Sequence, residues 1–152
     1  ASLGCFWDKD WLEQKMQMSK VCYQPNGIIL AYPVITSGPF AHRGSFVNLM
    51  GTKADEVLEQ ELSLENQVTD KMPPVFMWHT FEDDVVPLEN SLMFASALKK
   101  AGVNFEYHVF PHGGHGYSLA TKETAALGGN EIEPQCEQWM ALCKNWIKHC
   151  VV

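Results

Sequence analysis

The sequence has no CxxC pair, no HExxH, no run of apolar residues as long as a bilayer is thick, and few positive charges. Eleven Lys and Arg stand against 18 Asp and Glu, for a net charge of −7. Without a basic stripe the chain is not expected to bind nucleic acid, since phosphate-backbone binding needs one. The longest apolar stretch, Gly27 to Ile35, is strand-sized and far short of the roughly 18 residues of a membrane span, so no membrane partner is expected. Low-complexity tracts are also missing. With 46% hydrophobic residues the chain is not of the disordered class, which combines low hydrophobicity with high net charge. The five cysteines are odd in number and lack metal-ligand spacing. Cys136, Cys143 and Cys150 recur every seven residues, near one face of a helix. They read as buried free thiols, which behave as small hydrophobes; a reducing, cytoplasmic setting is the corresponding expectation. The chain starts at Ala1 with no methionine, which leaves room for an upstream segment, a signal peptide included.

The 152 residues fit one domain, 1–152, large enough to bury a core. Ala1-Ser2-Leu3-Gly4 reads as the tail of a helix stopped by glycine, and residues 5–20 as a short helix with loops. After the turn Gln24-Pro25-Asn26-Gly27, the apolar run Ile28–Val34 predicts a strand buried on both faces. Helices are predicted over Gly44–Met50 and Lys53–Glu61, and a second strand over Val75–His79 after Pro73-Pro74. Pro87 suits the first turn of a helix that runs through Leu88, Leu92, Ala95 and Leu98 to Lys99, Lys100 and Gly102. A third strand is predicted over Asn104–Phe110, a polar surface loop over Thr121–Glu133, and a final helix after Pro134 with an apolar stripe of Cys136, Trp139, Met140, Cys143, Trp146, Ile147 and Cys150. Strands alternating with helices imply parallel βαβ units and an α/β fold of about three parallel strands flanked by helices.

In a parallel sheet the functional loops leave the carboxyl ends of the strands. Asp83 lies four residues past His79, and His115 five past Phe110, so both are expected on the same edge. A carboxylate and an imidazole so placed can activate a hydroxyl nucleophile. The imidazole takes the hydroxyl proton, and the acid fixes its tautomer and stabilises the imidazolium. Gly113, Gly114 and Gly116 let the backbone bend around the histidine. The competing readings are a helix-capping or turn acid for Asp83 and a surface-loop histidine for His115. Glu82 and Asp84 compete for the acid's role. Asp83 is preferred because the turn leads through two valines to Pro87, with Asp84 capping or solvating the next helix. His112 rivals His115, while His79 and His108 read as structural. A metal site built from His108, His112 and His115 is disfavoured, because the strand-to-loop transition breaks ligand spacing.

These residues carry a family resemblance. Ala31-Tyr32-Pro33-Val34-Ile35-Thr36-Ser37-Gly38, Phe40-Ala41-His42-Arg43-Gly44-Ser45-Phe46, Pro73–Thr80, Val86-Pro87-Leu88-Glu89-Asn90-Ser91 and His112-Gly113-Gly114-His115-Gly116 resemble bacterial α/β-hydrolase esterases. The likeness is to the acetyl-xylan esterase, dienelactone hydrolase and prolyl oligopeptidase-like groups, and it covers nearly the whole chain. It implies the C-terminal half of an α/β-hydrolase fold, with Asp83 as triad acid and His115 as triad base. The family's nucleophile sits earlier, on a Gly-x-Ser-x-Gly elbow. None of the eight serines here has that setting, so the nucleophile and the oxyanion hole are expected upstream of Ala1.

The resemblance implies a serine-type carboxylic ester hydrolase acting on a small-molecule or carbohydrate ester, without a metal or organic cofactor. The 152 residues alone are expected to be inactive. A prolyl-oligopeptidase-like serine peptidase and a non-catalytic binding module are the alternatives. His42 and Arg43, after the first strand on the active edge, are candidate substrate-binding residues, or a brace for their loop. Phe40 and Phe46 either line an acyl pocket or fill the cap. The edge of the strand at 28–34 is expected to lie open and to permit self-association.

Overall fold

The computed structural model describes residues 1–51, 55–125 and 132–150. Its elements, in order, are α1 (Ser2–Phe6), α2 (Asp10–Met16), a 3₁₀ turn at Lys20–Cys22, β1 (Ile28–Ala31), α3 (Arg43–Met50), α4 (Glu56–Glu61), a 3₁₀ turn at Leu64–Asn66, β2 (Val75–Thr80), α5 (Glu89–Ala101), β3 (Phe105–Phe110), α6 (Pro134–Glu137) and α7 (Trp139–Cys150). The strands form one parallel sheet in the order β1-β2-β3, with Ile28 opposite Val75 and Val75 opposite Phe105. The expected α/β fold of three parallel strands with flanking helices is what the chain adopts. No helix among the described residues is long and apolar enough to cross a membrane.

Alternation along β2 divides the core in two. All six residues of β2 are buried, and successive side chains point to opposite faces of a sheet. Val75 and Met77 pack with Phe94 and Leu98 of α5, Cys5 of α1, and Leu30, Leu64 and Met72. Phe76 and Trp78 pack on the other face with Cys136, Trp139, Cys143 and Trp146. The Trp78 and Trp139 rings stack at 5.4 Å. The apolar stripe read from 136 to 150 is therefore the face that covers the sheet. Burial pushes the Cys136 thiol up to about 12 and the Cys5 thiol up to about 11. All five cysteines are free thiols; Cys5, Cys136 and Cys143 are buried and Cys22 is exposed.

Several boundaries differ from the sequence reading for local reasons. The first strand ends at Ala31 rather than Val34, because Tyr32 turns to φ +39. Gly4 does not stop a helix: α1 runs through it to Phe6. A Cβ there would lie 2.5 Å from Met72 Cε, so the glycine serves close packing. Helix α5 begins at Glu89, just after Pro87, and ends as expected on Gly102 at φ +75. Lys53 and Ala54, part of the expected second helix, lie outside the described residues, as do residues 126–131 of the expected surface loop.

Asn90 ties this scaffold together. Fully buried at the start of α5, its Oδ1 accepts from the backbone N–H groups of Ile35 (2.9 Å) and Thr36 (3.0 Å). Its Nδ2 donates to the carbonyls of Phe40 (2.9 Å) and Pro87 (3.0 Å). The loop after β1 and the turn before α5 are thereby fixed to one side chain.

Candidate active site

Asp83 and His115 meet at the carboxyl ends of β2 and β3, where His115 Nδ1 lies 2.8 Å from Asp83 Oδ2. A carboxylate only accepts, so the imidazole proton sits on Nδ1 and leaves Nε2 to take another. Asp83 is 6% exposed, while the His115 side chain keeps 28% of its surface open to solvent. That is the arrangement a general base needs: a fixed, buried acid behind an imidazole that substrate can reach.

The turn after β2 prepares the carboxylate. Asp83 Oδ1 accepts from the N–H groups of Val85 (3.0 Å) and Val86 (2.9 Å). The turn-forming and the histidine-facing roles of Asp83 are thus compatible, one on each oxygen. On Oδ2 it meets a second imidazole, His79 Nε2, at 3.1 Å. Glu82 and Asp84 go elsewhere. Asp84 is exposed. Glu82 takes His112 Nδ1 at 3.1 Å and the Gly113 N–H at 3.2 Å, contacts that draw its carboxyl below the usual range, His112 first. His108 pairs with Glu106 at 2.8 Å. The three histidines at 108, 112 and 115 therefore face three separate carboxylates.

The loop carrying His115 is shaped by Gly113 and Gly116, at φ +116 and +85. Gly114 has no such backbone, and its carbonyl accepts from Thr80 Oγ1 at 3.1 Å. Sequence reasoning missed Tyr32. Its ring packs edge-on to His115 at a centroid distance of 4.8 Å, and its hydroxyl accepts the Ser118 N–H at 3.1 Å. A non-glycine residue at positive φ beside this histidine is strain held in place by its surroundings. The sequence reading also took His79 as merely structural. The His-x-x-x-Asp spacing off a strand end was the available signal.

The loop that leaves β1 leads to His42 and Arg43, the N-cap and first residue of α3. His42 Nδ1 is 2.8 Å from Ser45 Oγ. Arg43 pairs with Glu59 and donates to the Ser37 carbonyl at 2.8 Å. Phe46 is buried beside a cavity of about 150 Å³ that Val34 and Leu62 also line, whereas Phe40 lies at the surface.

A sequence profile of the prolyl oligopeptidase family matches residues 34–128, a stretch that includes both Asp83 and His115. The chain is 41% identical over 122 residues to Endo-1,4-beta-xylanase B of Butyrivibrio fibrisolvens, covering 80% of this chain and 19% of that protein. It is 31% identical over 109 residues to an acetylxylan esterase of Xylanibacter ruminicola, covering 68% of this chain and 23% of that one. Among solved structures, an acetyl ester-xyloside bifunctional hydrolase from Caldicellulosiruptor lactoaceticus superposes with a TM-score of 0.71 and 47% identity, over 83% of this chain and 43% of that one. The chain spans 19% and 23% of the length of these two curated relatives and less than half of the solved one. Fold, sheet-edge acid and histidine, and profile match agree: the chain belongs to the prolyl oligopeptidase family and has an α/β-hydrolase fold.

Proposed function

We propose that the complete protein is a serine-type carboxylic ester hydrolase, with Asp83 as the acid and His115 as the base. The observation that carries this is the 2.8 Å contact between Asp83 Oδ2 and His115 Nδ1 at the sheet edge. A serine from outside residues 1–152 attacks the ester carbonyl while His115 Nε2 takes its proton. The imidazolium, stabilised by Asp83, then protonates the leaving alkoxide as the ester bond breaks. Water repeats the sequence on the acyl-enzyme, returning the serine and releasing the carboxylic acid. These steps call for no cofactor. The substrate class we favour is an acetyl ester on a carbohydrate, supported by the relatives named acetylxylan esterase and acetyl ester-xyloside bifunctional hydrolase. We assign His42 and Arg43, which follow the β1 loop, to substrate contact; the Arg43 side chain is largely exposed and its guanidinium has more N–H donors than its contacts to Glu59 and the Ser37 carbonyl use, which supports a contact to a carbonyl or sugar oxygen.

The prolyl oligopeptidase profile favours one other reading, a serine peptidase that uses the same acid and base. Full-length protein assayed on p-nitrophenyl acetate, acetylated xylan and an aminoacyl p-nitroanilide separates the two. Turnover of the acetyl esters with no release of nitroaniline is the expected result. Cleavage of the anilide alone would replace the esterase reading with the peptidase one.

A further inference from the structure

We infer that His79 is a positioning residue for the acid, holding Asp83 Oδ2 where His115 must find it; this rests on the ester-hydrolase reading above. His79 is the penultimate residue of β2, with its side chain fully buried. Its Nε2 faces two acceptors, Asp83 Oδ2 at 3.1 Å and the Val86 carbonyl at 2.9 Å. Neither can donate, so Nε2 carries a proton and shares it between them. Its Nδ1 lies 2.6 Å from Ser91 Oγ in the first turn of α5. Burial, the largest influence on this group, holds His79 below the ordinary histidine range. The ring is therefore neutral at pH 7, and Ser91 donates its hydroxyl proton to Nδ1. Tautomer and orientation are both fixed, by β2, α5 and the acid turn together.

The bonds form a closed clamp. His79 donates to the carbonyl of Val86, and the N–H of Val86 donates to Asp83 Oδ1. With the N–H of Val85 on Oδ1, and His79 and His115 on Oδ2, both carboxylate oxygens are saturated and the group cannot rotate. The charged and titratable groups facing the ring are Asp83 on its own turn and His115 from the loop after β3. Without His79, Oδ2 would be tied only to the imidazole it is meant to orient. The buried Val86 carbonyl and Ser91 hydroxyl would also lose their shared partner.

The test compares His79→Gln and His79→Asn in the full-length protein. Both put a neutral amide on a buried site, but only glutamine carries its N–H far enough to replace Nε2. We expect H79Q to keep kcat on p-nitrophenyl acetate near the wild-type value. We expect H79N to lower kcat by about 10- to 100-fold with KM little changed, as loss of orientation does. The low-field proton resonance of His115 Nδ1–H should be present in wild type and H79Q and shifted or broadened in H79N. A folded H79N with wild-type kcat and an unmoved resonance overturns the proposal. If H79N fails to fold, Ser91→Ala serves instead: it keeps the imidazole and removes its fixing donor, so the resonance must broaden, and an unmoved one overturns the proposal. If the wild type does not hydrolyse esters, the functional reading fails separately, and the resonance still decides whether His79 holds Asp83.

Discussion

Asn90 and His79 show how much of this site depends on side chains that never meet solvent. Asn90 satisfies two N–H groups and two carbonyls at once. Asn90→Ala leaves the buried N–H groups of Ile35 and Thr36 without their shared acceptor, and a loss of about 3 kcal/mol is expected by denaturant unfolding, since each unsatisfied buried group costs about 1–3 kcal/mol. A change below 1 kcal/mol would mean the loop after β1 is held by other contacts. His79 has a pH consequence of definite sign. Its folded pKa is lowered from 6.5 by burial, so the unfolded chain binds the more protons as pH falls through that value. Stability from this group is complete above about 6.5 and declines as pH drops toward the folded pKa. Melting temperature should therefore fall on going from pH 7 to pH 5, and less steeply in His79→Gln. Equal slopes would show that His79 is not the titrating group. Asp83 and His115 were legible in the sequence because each follows an apolar strand by a few residues. The part played by His79 was not, because its contacts depend on how α5 and the acid turn close over the end of β2.

The elements read from pattern alone were those with clear punctuation. Helix α5 has Pro87 before it and Lys99, Lys100 and Gly102 at its end, and α7 has one apolar stripe. Boundaries set by tertiary contacts were hidden: β1 stops where Tyr32 adopts φ +39 against Trp78 and His115. The loop between β3 and α6 shows the same division. Gly113, at φ +116, would bring an added Cβ to 3.1 Å from Thr80 Cγ2. Gly113→Ala is expected to cost about 1–3 kcal/mol, the usual range for such strain, and to lower esterase kcat/KM in the full-length protein by displacing His115. Gly114→Ala is the control, since its Cβ would meet only Tyr117 at 3.8 Å. Thermal melting and kinetics on the two variants check this; equal behaviour would mean the backbone at 113 does not hold the histidine.

At the scale of the chain, the sheet order leaves β1 at an edge among the described residues, with Ile29 46% exposed. Ile28 N–H donates to the Pro74 carbonyl and Tyr32 N–H to the Trp78 carbonyl. By alternation the N–H groups of Ile29 and Ala31 point away from β2, an open ladder of the kind that recruits another strand. The 152-residue chain is expected to self-associate in sedimentation velocity, and Ile29→Pro, which removes an outward N–H and no bond to β2, to make it monomeric with unchanged circular dichroism. A wild-type chain that stays monomeric at high concentration would show this edge to be inert. The pairing of Asp83 with His115 as acid and base is tested most directly by kcat/KM on p-nitrophenyl acetate for full-length wild type, Asp83→Asn, His115→Ala and Asp84→Asn, each checked for folding. Losses on the order of 10⁴ or more are expected for the first two variants, and near-wild-type turnover for Asp84→Asn. An active Asp83→Asn, or a dead Asp84→Asn, would contradict the assignment.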